Sequence, residues 1–295
     1  MKNYIVRALS DDGGVRAFVA VTTELCNEAQ RVHQTYPVAS AALGRLLTGG
    51  AMMGTMLKGE KDAITLQIKG DGPLGGVVVL TDASANVKGY VHHPQIEIPS
   101  QPNGKLDVGG AIGYGTLTII RDFGMKEPYV GQVPLMTGEI AEDLTLYFAQ
   151  SEQTPSAVAL GVLVDRDLSV RAAGGFIIQL MPDAHPKLSE MIEKAVQDAT
   201  PISTLVDQGL SGEEILHTIL PAVKWSKSER IATQYQCDCS TDRIERALIS
   251  LGAKELGEII TEQGQAELTC HFCTKRYHFD KDALVQLLAS ATSRS

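Results

Sequence analysis

Four cysteines near the end of the chain stand in two tight pairs, Cys237-Asp-Cys239 and, thirty residues later, Cys270-His-Phe-Cys273. A C-x-C and a C-x-x-C at this separation supply four soft thiolates that can converge into a tetrahedron, the geometry a zinc ion accepts without d-electron preference. Spacing alone therefore predicts one zinc ion on Cys237, Cys239, Cys270 and Cys273. Four sulfurs close the coordination sphere and leave no position for an activated water, so metal-assisted hydrolysis is not expected and a structural ion is the default. His271 and His278 flank the second pair and are expected beside the ligands or at the surface. Cys26, far from the others in sequence and within a helical segment, reads as a small core residue.

Nothing else in the chain makes a competing case. Gly70-Asp-Gly-Pro-Leu-Gly-Gly76 lacks the Gly-Lys-Ser/Thr ending of a phosphate loop and precedes a strand, so it reads as a turn. His92-His93 ends a strand without a neighbouring ligand cluster, and no Ser-His-Asp or Gly-x-Ser-x-Gly arrangement supports nucleophilic catalysis. No catalytic residues are assigned, and the chain is not expected to be an enzyme.

The elements that must hold the four thiols fall into three stretches. Residues 1–180 read as an α+β domain with a largely antiparallel sheet. Strands are expected at Tyr4 to Leu9, Val15 to Val21, Ala63 to Lys69, Gly76 to Leu80, Asn86 to His92, Gly115 to Arg121, Tyr129 to Val133, Ala157 to Val164 and Ala172 to Leu180. Helices are expected from Glu24 to Tyr36, closed by Pro37, then across Leu43 to Leu57, where Gly49-Gly50 weakens the pattern, and from Ile140 to Gln150.

Residues 181–236 read as a helical linker. Leu188, Met191, Ile192, Ala195 and Val196 form one stripe of a helix starting near Pro186, and the Ser211-Gly-Glu-Glu214 capping box opens another that carries Ile215, Leu216, Ile219 and Leu220 up to Pro221. This stretch has too little apolar volume for a core of its own and must lie against something else. Residues 237–295 form a small module, with helices from Ser240 or Asp242 to Leu251 and from Lys254 to Glu262, a hairpin from Glu267 to Phe279, and a last helix from Asp280. So short a module is expected to need its metal.

Composition narrows the function classes. A chain of 295 residues with 35 acidic and 26 basic side chains carries a formal charge of -9, which repels nucleic acid and anionic lipid in the absence of a basic patch. The N-terminal Met1-Lys-Asn-Tyr-Ile-Val-Arg-Ala lacks a secretory h-region and no run is long enough to span a bilayer, so a cytoplasmic location is expected, where paired thiols bind metal or do redox chemistry. Two rival readings remain on these grounds: a zinc-ribbon nucleic-acid reader, which the acidic balance disfavours, and a thiol-disulfide oxidoreductase built on Cys270 and Cys273, which lacks a βαβ setting.

Several segments together resemble the redox-regulated 33 kDa heat-shock protein (33 kDa chaperonin) family over essentially the whole length. They are Gln236-Cys-Asp-Cys-Ser240, Thr269-Cys-His-Phe-Cys273 with Tyr277-x-Phe279, Leu43-Gly-Arg-Leu-Leu47, Gly70-Asp-Gly-Pro-Leu74, Gly113-Tyr-Gly-Thr-Leu117 and Tyr147-Phe-Ala-Gln-Ser-Glu-Gln-Thr-Pro155. The resemblance implies an ATP-independent holdase, silent when reduced and zinc-bound. It further implies that oxidation joins Cys237 to Cys239 and Cys270 to Cys273, expels zinc, unfolds the terminal module and linker, and yields homodimers that hold unfolding clients until ATP-driven chaperones take them. Under that scheme the apolar linker stripes are candidates for surface freed on activation, although a permanently packed linker has the same periodicity.

Overall fold

The computed structural model describes residues 2–182, 184–185 and 187–292. The chain divides into two compact units, Met1–Gln236 and Cys237–Ser295.

In the first unit, strands β1 (Tyr4–Ser10), β2 (Val15–Val21), β8 (Ser156–Val164), β9 (Val170–Leu180) and β10 (Trp225–Ala232) form a sheet in the order β10-β1-β2-β9-β8. A second sheet runs β11-β5-β4-β3-β6-β7, from β3 (Ala63–Gly70), β4 (Val77–Asp82), β5 (Asn86–Val91), β6 (Gly115–Asp122), β7 (Tyr129–Pro134) and β11 (Gln234–Tyr235). Every pairing is antiparallel except β11 on β5, in keeping with the α+β expectation and with the near absence of helical crossovers.

Helix α2 (Pro37–Gly54) lies between the sheets and is buried almost throughout. Pro37 therefore opens this helix, at a position where its missing N–H costs nothing, besides following α1 (Thr23–His33). At the Gly49-Gly50 pair the helix has close neighbours on two sides: a Cβ on Gly49 would meet Leu144 of the helix Ala141–Gln150 at 2.8 Å, and one on Gly50 would meet Val79 of β4 at 2.9 Å. Close packing thus outweighs the weak helix propensity of glycine. Helices α3 (Val108–Ile112) and α4 (Ala141–Gln150) complete this half, the former with no counterpart in the sequence reading.

The five-stranded sheet is apolar on both faces. Ile5, Phe18 and Ala20 point to α2, while Tyr4, Val6, Ala8, Val15, Ala17 and Val19 point outward. That outward face is covered by α5 (Lys187–Gln197), α6 (Ile202–Asp207) and α7 (Gly212–Ile219), which answers what the amphipathic stripes of 181–236 lie against. Ile192, Ile215, Leu216, Ile219 and Leu220 are buried there, and Ser211 and Glu214 form the expected capping box. Helix α5 opens at Lys187; the expected start at Pro186 lies outside the described residues.

One expectation for this stretch is overturned. Residues 181–236 are not all helical: β10 extends the first sheet as its edge and, one residue later, β11 extends the second. Thr233 Oγ1 donates to Ala85 O at 2.6 Å and Gln236 N to Val87 O at 2.8 Å. The strand was hidden because an edge strand keeps polar side chains on an exposed ribbon and shows little apolar alternation.

Candidate metal centre

The second unit builds around α8 (Thr241–Ser250), α9 (Ala253–Glu262), the hairpin β12 (Ala266–Thr269) and β13 (Arg276–Phe279), and α10 (Lys281–Thr292). Ser240 caps α8 by accepting from Arg243 N at 3.3 Å, so the Cys237-Asp-Cys239 segment ends against a helix N-terminus. Cys270 and Cys273 occupy the hairpin turn. There Thr274 N donates to Cys270 O at 2.8 Å and Cys270 N to Lys275 O at 2.9 Å, with Thr274 in the left-handed region at φ 58°. Beneath the thiols lies a small core of Leu248, Leu256, Ile260, Tyr277, Phe279, Leu284 and Leu287.

All four Sγ atoms lie within 4.8 Å of one another. Cys237 and Cys270 are 3.7 Å apart, Cys239 and Cys273 3.3 Å. A tetrahedral ion with metal–sulfur distances of about 2.3 Å requires edges of about 3.8 Å, so the donor set fits a single ion after shifts of a few tenths of an ångström. The four cysteines can therefore hold a metal ion.

Electrostatics favour a cation among these sulfurs. Burial foremost, with hydrogen bonds from neighbouring thiols, pushes Cys237 above the ordinary thiol range, and burial raises Cys273 as well. Burial opposes ionisation of Cys239 too, but the Tyr277 hydroxyl, which donates to its Sγ at 3.0 Å, and the adjacent thiols outweigh it and bring Cys239 down to about 7. Backbone N–H groups of Cys239 and Lys275 act on Cys237 and Cys273 in the same stabilising sense. One thiolate is easy to form in such a nest and four are not, unless a divalent ion supplies the opposing charge.

Tyr277 was missed as a functional residue. Its ring faces the small core and its hydroxyl ends on sulfur, a hydrogen bond that orients a ligand. The available signal was that a tyrosine on the buried face of a strand needs a partner for its hydroxyl. Tyr277→Phe is expected to keep the fold and weaken metal retention about tenfold, at the low end of the effect of losing such a support. Competition with a chromophoric chelator measures it, and retention should fall on acidification because each ligand must first lose its proton.

The other candidates resolve simply. His271 and His278 are exposed, and His278 sits on the face of β13 opposite Tyr277 and Phe279. Cys26 is buried against α2, its Sγ 3.7 Å from Gly44 O, and burial pushes its thiol up to about 12, so it is inert at neutral pH. The Gly70–Gly76 segment is a turn tied by Tyr114 N to Asp71 Oδ1 at 2.7 Å, and a Cβ on Gly70 would fall 1.9 Å from Ile112 O. His92 and His93 are exposed, the latter 2.9 Å from Pro73 O. Among the described residues no helix is long and apolar enough to cross a membrane.

A family model described as Hsp33 protein matches residues 3–280. The chain is 49% identical over 288 residues to the 33 kDa chaperonin of Lachnoclostridium phytofermentans, covering 98% of this chain and 99% of that protein. It is 51% identical over 291 residues to the 33 kDa chaperonin of Clostridium botulinum, covering 98% of both. Among solved structures, the 33 kDa chaperonin (heat shock protein 33 homolog) of Thermotoga maritima superposes with a TM-score of 0.91 at 39% identity, over 99% of this chain and 100% of that one.

Proposed function

This chain belongs to the Hsp33 protein family and is a chaperone, and we propose that it is an ATP-independent holdase switched on by oxidation of a zinc-bound thiol cluster. Cys237, Cys239, Cys270 and Cys273 ligate one zinc ion in the silent, reduced state. Oxidation then forms the disulfides Cys237–Cys239 and Cys270–Cys273; each pair of thiolates gives up two electrons to the oxidant, and the sulfurs, no longer anionic, release the metal. Residues 237–295 act as the redox switch, 181–236 as the linker it controls, and 1–180 as the chaperone core. The active form is a cytoplasmic homodimer that holds unfolding clients for ATP-dependent chaperones, binds neither nucleic acid nor membrane, and turns over no substrate.

The convergence of four thiols within 4.8 Å in so small a module carries this reading. Structural zinc contributes about 10–16 kcal/mol to small modules of this kind, as much as the ~5–15 kcal/mol stability of a whole domain. Disulfides within each pair close very short loops and constrain the unfolded chain little, so oxidation removes the metal without replacing its contribution. A nucleic-acid reader is disfavoured by Glu245, Glu255, Glu258, Glu262 and Glu267 in the module that carries the cluster, and an oxidoreductase by the hairpin setting of Cys270 and Cys273.

The test is to purify the chain reduced, quantify bound metal, oxidise with peroxide at raised temperature or with hypochlorite, and follow metal release together with suppression of aggregation of a heat-denatured protein. Release and activity should rise together. Activity that is equal before and after oxidation refutes the switch.

A further inference from the structure

Strand β2 reads Val-Arg-Ala-Phe-Val-Ala-Val and is buried on both faces, yet its second residue is an arginine on the inner face, alongside Phe18 and Ala20. Cross-strand register sets Arg16 beside Leu9 of β1, and Arg7 beside Phe18. On the far side of β1, Lys227 pairs with Leu9 and Glu229 with Arg7. These residues line a cleft of about 850 Å³, closed on its other side by Thr55, Met56, Leu57 and Lys58, the segment that follows α2. The sheet continues past the end of the helix that fills the rest of the core, and that overhang is the cleft.

Inward-pointing charges commonly protect sheet edges from pairing with other chains. That does not account for Arg16, because β2 is an interior strand flanked by β1 and β9. Its guanidinium lies 5.4 Å from the Phe18 ring, and one terminal nitrogen donates to Gln179 Oε1 at 2.6 Å. Its Nε is buried and has no hydrogen-bond partner among the described residues. A buried donor left unsatisfied is costly, so an arginine in this position calls for an explanation.

The surrounding charge is mostly positive. Arg7, Arg16, Lys58 and Lys227 line the cleft against Glu229 alone, in a chain whose net charge is -9. Glu229 is held by Arg7, whose guanidinium also donates to Thr55 O at 3.3 Å. Glu152, an acid outside the lining that acts on Arg16, is engaged by Arg121 and by the Tyr147 hydroxyl. Burial, then the neighbouring Arg7, pulls the Arg16 pKa down, more than Glu152 raises it. Leu9, Phe18, Met56 and Leu57 supply the apolar part of the lining, beside the hydroxyl residues Thr55, Ser226 and Ser228.

We propose that this cleft binds an amphiphilic carboxylate, its anionic head on the partly exposed Arg16 guanidinium and the Lys58 and Lys227 ammonium groups and its apolar tail against Leu9 and the Met56-Leu57 wall. A cleft of this size with apolar walls and a few convergent polar groups has the make-up of a small-molecule site. The site lies wholly in the first unit and does not depend on the redox reading.

The reduced, metal-loaded full-length chain is titrated calorimetrically with decanoate, 1-decanol and acetate. Decanoate should bind with a stoichiometry of one, and the alcohol and acetate, each lacking one half of the recognised chemistry, about tenfold or more weaker, the range of one charge-assisted hydrogen bond. Arg16→Met should remove the preference for decanoate over decanol and leave decanol binding unchanged. If that variant does not fold, the rim substitutions Lys58→Glu and Lys227→Glu together, both at exposed side chains, should abolish decanoate binding. Equal affinity for decanoate and decanol, unchanged decanoate binding in the variants, or no saturable binding overturns the proposal.

Discussion

Alanine at all four positions, Cys237→Ala, Cys239→Ala, Cys270→Ala and Cys273→Ala, should give a chain that holds no metal, has no stable terminal module and suppresses aggregation without any oxidant. The reason is the size of the module's own core. Among the described residues, eight buried side chains, Cys270 among them, make up its centre, and Cys237, Cys239 and Cys273 pack against it. The ligands are thus part of the packing as well as of the coordination. Removing them forfeits the ~10–16 kcal/mol of a structural ion from a unit that has no comparable reserve.

Hydrogen exchange should locate the loss. Amides of 241–292 should exchange as an unfolded chain does, whereas those of β2 and β9, interior strands of the first sheet, should keep their protection. Cys26 cannot substitute for the lost ligands, being enclosed between α1 and α2 in the first unit. A quadruple variant whose tail stays compact and which stays silent toward denatured protein would remove the basis of the proposed function.

The difference between what sequence reading found and what it missed has a physical pattern. Features that depend on residue type and short spacing were legible: the alternation of β3, the Ser211 and Ser240 caps, and the thiol pairs, whose chemistry is intrinsic to sulfur. Features that depend on a partner distant in sequence were not. Strand β10 pairs with β1 more than two hundred residues away and carries the polar side chains of an edge, so its own segment gives no sign of it. Helix α2 keeps its glycines because Leu144 and Val79 press on them, and Tyr277 matters because its hydroxyl reaches Cys239. Arg16, in an alternating Val-Arg-Ala-Phe, passes for an ordinary solvent-facing residue until both faces of its strand are seen to be covered.

That double coverage leads to the second large expected effect. Helix α7 is fastened to the outer face of the first sheet by a few identifiable contacts. Its capping box fixes the N-terminus, Gly212 N donates to the Tyr4 hydroxyl at 3.0 Å, and Arg230 of β10 grips Glu213 with two bonds of 2.7 Å while lying 4.5 Å from the Tyr4 ring. Most of the attachment is nonetheless apolar, through Ile215, Leu216, Ile219 and Leu220. Truncating one such aliphatic side chain costs about 2–5 kcal/mol, and placing a carboxylate in the same space adds the cost of a buried, unpaired charge. Ile215→Asp should therefore detach α7 and uncover Tyr4, Val6, Val15, Ala17 and Val19 while leaving the thiol cluster intact. If exposure of this face is what activates the chaperone, the variant will suppress aggregation in reducing buffer with its metal still bound. Ile215→Val, which removes one methylene at about 0.5–1.5 kcal/mol, should stay silent. Rapid exchange across 212–219 in a metal-loaded Ile215→Asp chain that remains inactive would show that linker release alone is not the switch, and would assign activation to the unfolded terminal module itself.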